Sequence, residues 1–314
     1  MKQARLVFAN ITSRCNQSCI HCCSPVLEGL PAQDLGIDTL LATLMAVKAQ
    51  EVRLSGGEPL LHRELPRLLG GLSNSGILFS LTTNGQLLTG PVCELLSMYR
   101  PSRVHISVLG VTSALHEARS QLSGSFQAVL AAIGRCVRLG LRVRVNLAVF
   151  GGDAIGDSKF FGLMRDSGVT EVRLFPVSTD GRAGNLTKGD RVTVAEYCEL
   201  LNTLADASVE WAPLVVTARP CYGSGAQPRF EDTKGASCLL NEQLYITCNA
   251  DGMMYPCCHL VGREAFRLGR SPSEVVSKMQ SFLDHRPPGG WHAPCRPEGG
   301  GWMCPLLVIP VTRV

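Results

Sequence analysis

Between residues 5 and 205 the chain alternates short runs rich in β-branched residues with amphipathic stretches of helical period, six times over. The strand-like runs fall at 5–11, 51–54, 77–82, 103–108, 141–150 and 171–175. The helical stretches fall at 36–48, 64–73, 89–99, 125–139, 157–166 and 193–207. Strict alternation of this kind leaves little choice of topology: successive strands run parallel, each joined to the next by a right-handed helical crossover. Six units fall short of the closed eight-unit barrel, so an open, partial (β/α)6 barrel of α/β class is expected over 1–205. In such folds the reacting groups sit on loops at the C-terminal ends of the strands. The texture then changes. Residues 206–237 read as a Pro/Gly-rich connector, and 238–314 as a small module with a hairpin-like "QLYITCNADGMMYPCC", a helix near 272–284 and a Gly/Pro/Cys-rich tail. That tail has too few apolar residues for a core of its own, the usual condition for a metal staple.

Composition narrows the function classes. Hydrophobic residues make up 45% of the 314, ample for a packed core. No apolar run is long enough for a membrane span, and the N-terminus "MKQARLVFAN" lacks the apolar stretch of a secretory signal. The net charge of +4 comes without a dense Lys/Arg cluster, which argues against a nucleic-acid partner. A cytoplasmic, reducing setting is therefore expected, where clustered cysteines are metal ligands or catalytic groups rather than disulfides.

Four of the fourteen cysteines lie in "CNQSCIHCC" at 15–23, directly after the first strand-like run. Cys15, Cys19 and Cys22 match neither a zinc knuckle nor a complete four-ligand site. Three thiolates suit a [4Fe–4S] cluster with one iron left open. After the second strand comes "RLSGGEPLL", where Gly56 and Gly57 permit close backbone approach to a ligand and Glu58 can accept from an ammonium.

Taken together, these residues resemble the radical SAM superfamily, whose signature is CxxxCxxC after the first strand of a partial TIM barrel. The resemblance covers about residues 5–205. It implies S-adenosylmethionine as cofactor, a 5′-deoxyadenosyl radical as the hydrogen-abstracting agent, and an external electron donor such as flavodoxin or ferredoxin. By the same resemblance Gly56, Gly57, Glu58 and Pro59 hold the methionine amino group, and Ser107 and Asn146 approach the ribose or carboxylate. Arg119 is a candidate carboxylate partner. His21 stands where the family usually has Phe, Tyr or Trp, and is expected to stack on adenine. Cys23 is read as a spare, buried as a small hydrophobe.

The C-terminal region resembles the SPASM/twitch extension of these enzymes. That likeness implies one auxiliary [4Fe–4S] cluster held by Cys238, Cys257, Cys295 and Cys304, with Cys258 able to replace Cys257. A structural zinc site with the same thiolates is the alternative. Cys248 lies between auxiliary ligands in "LYITCNADG", and a thiol near the barrel mouth could return a hydrogen atom to a substrate radical. Its bland alternative is a buried strand cysteine. The whole plan is similar to aminoglycoside-tailoring enzymes of the neomycin C epimerase type, which implies inversion of a sugar carbon with Cys248 as donor. A polycationic sugar would need carboxylates at the mouth, and Glu28, Asp34, Asp153, Asp180, Glu231 and Asp251 are near the right loops. Three rivals stand beside that reading. They are a dehydrogenase that uses the auxiliary cluster as electron acceptor, a peptide-modifying enzyme, and a cluster carrier without SAM chemistry. The peptide reading loses ground because no leader-binding domain precedes the first strand.

Overall fold

The computed structural model describes residues 4–22, 32–156, 159–177, 181–218, 244–284 and 309–310. The six expected strands are present: β1 (Ala4–Thr12), β2 (Glu51–Gly56), β3 (Leu78–Thr83), β4 (Arg103–Val108), β5 (Val143–Val149) and β6 (Glu171–Pro176). Helices α1 (Ile37–Ala46), α2 (Leu65–Asn74) and α3 (Gly90–Tyr99) join the first four. Between β4 and β5 there are two helices, a short α4 (Ser113–Ser120) that the sequence reading lacked and α5 (Ser125–Arg138). Helices α6 (Phe160–Asp166) and α7 (Val194–Asp206) follow. Thr193 starts α7 with a capping box, accepting from the Glu196 N–H while the Glu196 side chain accepts from its own.

Two further strands enlarge the wall. The stretch read as connector contains β7 (Val215–Ala218), which adds parallel to β6. The C-terminal hairpin is real, with β8 (Leu244–Cys248) antiparallel to β9 (Met254–Tyr255), but the other edge of β8 pairs parallel with β1. The sheet order among the described residues is β10-β7-β6-β5-β4-β3-β2-β1-β8-β9, with β10 (Ile309–Pro310) antiparallel on β7. Eight parallel strands thus form an α/β barrel wall that stays open, capped at both edges by short antiparallel strands. Helix α8 (Pro272–Asp284) packs beside α1.

Alternation along each strand sorts the side chains. Val7, Ala9 and Ile11 of β1, Val52 and Leu54 of β2, and Val104, Ile106 and Val108 of β4 belong to one continuous core with the helices. Their neighbours in sequence, among them Phe8, Arg53 and His105, lie on the opposite face, the barrel lumen. Strand β5 is buried at six of its seven positions, as expected for a parallel strand covered on both sides. No helix among the described residues is long and apolar enough to cross a membrane.

Candidate active site

The loop carrying Cys15, Cys19 and Cys22 leaves the C-terminal end of β1 and is seated by backbone contacts from three directions. The Gly57 N–H donates to Thr12 O and the Glu58 N–H to Arg14 O, both at 2.8 Å. Gly56 has φ +133°, and a Cβ there would lie 2.3 Å from Thr12 O; on Gly57 it would lie 2.2 Å from Arg14 O. The glycine pair is therefore needed where the β2 loop meets the thiol loop itself. Arg14 then locks the base of the loop, with Nη2 2.6 Å from Asp34 Oδ2 and a further bond to Leu61 O. From the far side, Ile20 N–H donates to Arg119 O at 3.0 Å and Arg182 N–H to Cys22 O at 2.9 Å.

Glu58 is fully buried. Its carboxylate accepts from Thr83 Oγ1 at 2.7 Å, Asn84 N at 2.8 Å and Leu60 N at 3.2 Å. Burial pushes its pKa up to about 7, with those three donors opposing. The side chain expected to receive an ammonium is thus engaged by the end of β3, and it ties the β2 loop to that strand. Buried Pro59 opens the short 3-10 turn that follows. Asn84 Nδ2 also donates to Asn16 Oδ1 at 2.7 Å, joining the β3 end to the thiol loop.

The three thiols fit a metal cluster better than they fit being alone. Burial, followed by the neighbouring Cys15 and Cys22, pushes the Cys19 thiol up to about 12, and burial also raises Cys15. Such a group of sulfurs ionises readily only against positive charge, which bound iron supplies. Among the described residues no three Cys, His, Asp or Glu side chains form a cage for a single ion. A [4Fe–4S] group does not ask for one, because its thiolates bind separate irons.

Under the loop lies an apolar platform of Leu109, Ala148, Phe150, Val177 and Ala183, against which Cys19 and Ile20 pack. His21 meets Phe150 edge-on, ring centroids 5.3 Å apart, and its Nδ1 is buried without a hydrogen-bond partner. Burial, with Arg119, Arg182 and His116 nearby, lowers its pKa to about 4, so the ring is neutral near pH 7. Ser107 and Asn146 are register partners on β4 and β5, and Asn146 Oδ1 is a buried acceptor without a donor, as a hydroxyl-bearing ligand would find it. Arg119 differs from expectation. Its guanidinium forks onto Asp153, at 3.0 Å to Oδ2 and 2.5 Å to Oδ1, and donates to Leu109 O at 2.8 Å. It also covers the Phe150 ring at 3.9 Å. Its carboxylate partner is within the chain, and its role is to brace the platform.

Cys248 lies on the core face of β8. It is the register partner of Ala9 on β1 and of Met254 on β9, and all three belong to the core between sheet and helices. The thiol is 0% exposed and faces away from the lumen, and burial alone pushes its pKa up to about 12. The adjacent Asn249 accepts from Asn10 Nδ2 at 3.0 Å. The placement of Cys248 fits the bland alternative, a buried strand cysteine. Of the cysteines expected to hold an auxiliary cluster, Cys257 is buried beside Tyr245 and Leu260, and Cys258 is half-buried. Cys238, Cys295 and Cys304 lie outside the described residues, as does Cys23. The carboxylates proposed for a cationic substrate are also committed: Asp34 to Arg14, Asp153 to Arg119, and Asp251 to Arg270 at 3.6 Å. Glu28, Asp180 and Glu231 lie outside the described residues.

The sequence reading passed over the polar lumen. Arg53, Arg103, His105, Arg144, Glu171 and Arg173 stand at alternate positions in otherwise apolar parallel strands, the one signal that could have revealed them.

The site is thus an open parallel barrel with a three-thiol loop at the end of its first strand. The chain belongs to the radical SAM superfamily, whose family model matches residues 9–167. It is 26% identical over 222 residues to the AdoMet-dependent heme synthase of Methanosarcina barkeri, covering 69% of this chain and 63% of that protein. It is 31% identical over 186 residues to the GTP 3′,8-cyclase of Rhodopseudomonas palustris, covering 55% of this chain and 53% of that protein. The chain thus spans less than two thirds of these relatives. Streptococcus suis SuiB bound to S-adenosylmethionine superposes with a TM-score of 0.72 at 15% identity, covering 90% of this chain and 66% of SuiB. That match shows a shared fold.

Proposed function

We propose that this chain generates a 5′-deoxyadenosyl radical from S-adenosylmethionine and directs it at a C–H bond of a substrate held in the barrel lumen. The observation that supports it best is the seating of the three-thiol loop on the GGEP loop through Gly57 and Glu58. Cys15, Cys19 and Cys22 would hold a [4Fe–4S] cluster, which supplies the electron that cleaves the sulfonium. The backbone around Gly56–Gly57, rather than the engaged Glu58 carboxylate, is the portion of that loop free to meet the methionine amino group. Asn146 Oδ1 offers its vacant acceptor to a ribose hydroxyl, with Ser107 beside it. Neutral His21 offers its ring to an adenine, with Phe150 edge-on beside it. The Arg119–Asp153 fork keeps Phe150 in place, and the apolar platform keeps water from the reacting carbon. An auxiliary cluster on Cys238, Cys257 (or Cys258), Cys295 and Cys304, and a flavodoxin- or ferredoxin-type donor, complete this reading.

The fate of the substrate radical follows from Cys248. With that thiol on the helix side of the sheet, return of hydrogen from it to an aminoglycoside carbon loses its support, and the paired carboxylates offer a polycation little. The reading that remains is oxidation of the radical, in which its electron would pass to the auxiliary cluster and a proton would leave to give a dehydrogenated product. Relatives are named for heme synthesis and GTP cyclisation, and SuiB has been solved with its precursor peptide SuiA.

Anaerobically reconstituted protein should bind iron and sulfide and release 5′-deoxyadenosine when given S-adenosylmethionine and dithionite. Cys15→Ala, Cys19→Ala or Cys22→Ala should each abolish that release, measured by liquid chromatography. Release undiminished in any of the three would overturn the assignment.

A further inference from the structure

The lumen beneath the thiol loop is cationic. Register places Thr247 of β8, Phe8 of β1, Arg53 of β2, Ser80 of β3 and Arg103 of β4 in one inward row. The next rows hold His105, Arg144 and Glu171, then Asn146, Arg173 and Thr217. Arg103, Arg144 and Arg173 converge on Glu171 at 3.1, 2.5 and 3.7 Å, and Thr217 Oγ1 donates to it at 2.9 Å. Glu51 is satisfied by hydroxyls, from Ser80 at 2.8 Å and Ser102 at 3.1 Å. Among the described residues, four guanidinium groups therefore face two carboxylates.

Arg53 is where that excess is least answered. It makes no direct ion pair among the described residues, Tyr245, Glu51 and Glu171 acting on it only at longer range. Its Nε donates to Ser80 Oγ at a long 3.4 Å, and its guanidinium lies 4.8 Å from the centroid of the Phe8 ring. Burial first, then Arg53, Arg173 and Arg103, holds the buried His105 imidazole well below its ordinary pKa. Groups from β2, β4 and β6 thus meet across the interior. One unused donor shares its row: Thr247 is 1% exposed, with Oγ1 unpartnered among the described residues. A guanidinium withdrawn from bulk water is costly unless a counter-charge meets it. The Glu171 network could stiffen the wall without Arg53, so stiffening does not account for it.

We propose that the lumen is an anion site, and that the substrate enters with a carboxylate or phosphate group directed onto Arg53, flanked by Arg103 and the Thr247 hydroxyl. This rests on the lumen being the substrate chamber of a SAM-cleaving enzyme. It names an acidic substrate class in place of a polycation.

Isothermal titration of the anaerobically prepared, cluster-loaded protein with pyrophosphate and with citrate tests it, each probe standing for one source of negative charge. At least one should bind saturably. Arg53→Gln should weaken that binding tenfold or more, Arg53→Lys should fall between, and Arg67→Gln on the exposed face of α2 should match the wild type. The tighter probe identifies phosphate or carboxylate. Absence of saturable binding to the wild type, or equal affinity in Arg53→Gln, would overturn the site. If Arg53→Gln fails to melt cooperatively, Arg53→Lys carries the comparison, and wild-type affinity there counts against the site. Parallel assay of 5′-deoxyadenosine separates the two claims. Anion binding at Arg53 without any SAM cleavage removes the radical reading and keeps the site, whereas cleavage without saturable anion binding does the reverse.

Discussion

A cysteine and a histidine show how much a single position depends on which way its side chain points. Cys248 lies in sequence between cysteines expected to hold an auxiliary cluster, yet its parity along β8 is set by pairing with Ala9, and that pairing turns the thiol to the core face of the sheet. Cys248→Ala should therefore lower stability by about 1–2 kcal/mol through lost packing. It should leave the product unchanged; a variant that cleaves S-adenosylmethionine but makes no product would restore the donor role. His116 is 1% exposed, accepts from Leu109 N at Nδ1 (3.2 Å), and has its pKa lowered to about 4, by burial first. A histidine depressed in the fold stabilises fully above its unfolded value near 6.5, and that contribution is lost as pH falls toward about 4. His116→Asn retains an acceptor for Leu109 N and removes the titration, so its melting temperature should fall less steeply than the wild type's between those two pH values. Parallel melting curves would remove His116 from the acid response. The thiols of Cys15, Cys19 and Cys22 were legible beforehand because they are contiguous in the chain. Arg119 was not, since its partner Asp153 is 34 residues away and nothing local announces it.

Among the elements, the six strand–helix units could be read directly because each carries its own period. Strand β7 escaped because "VVTA" is four residues long, with Pro213 shortly before it and Pro220 shortly after it in the sequence. Strand β8 was recognised as half of a hairpin, which it is, but its second partner is β1, and no local pattern specifies a parallel neighbour that remote. The loops after β1 and β2 show what the motif glycines do. Because a Cβ on Gly57 would overlap Arg14 O at 2.2 Å, Gly57→Ala must push the GGEP loop and the thiol loop away from each other. The variant should bind less iron per chain and release at least tenfold less 5′-deoxyadenosine, while far-UV dichroism stays unchanged. Full iron content with normal release would show that the close approach is dispensable.

For the molecule as a whole, one apolar layer between sheet and helices supplies cohesion, and the inner face of the same strands is left for polar work. The overall charge of +4 gave no hint of this, because it averages over a surface with abundant acids, whereas the lumen gathers arginines from four strands. Period-two reading of each strand would have separated the two faces, but the barrel had to be assembled before those inward positions could be seen to meet. The open wall matters too, since the edges are finished by β9 and β10 rather than by each other. Short antiparallel strands at an edge discourage further strand addition.

The first strand of the chain lies inside the sheet, hydrogen-bonded on one side to a segment made soon after it and on the other to a segment some 240 residues downstream. On the ribosome, its second flank stays bare until residues 244–248 have emerged. The thiol loop at its tip therefore hangs from a half-finished support through most of synthesis. Iron delivery before the late strand arrives would load a nascent chain prone to sticking to its neighbours, so maturation of the metal centre belongs after residues 244–248 have emerged.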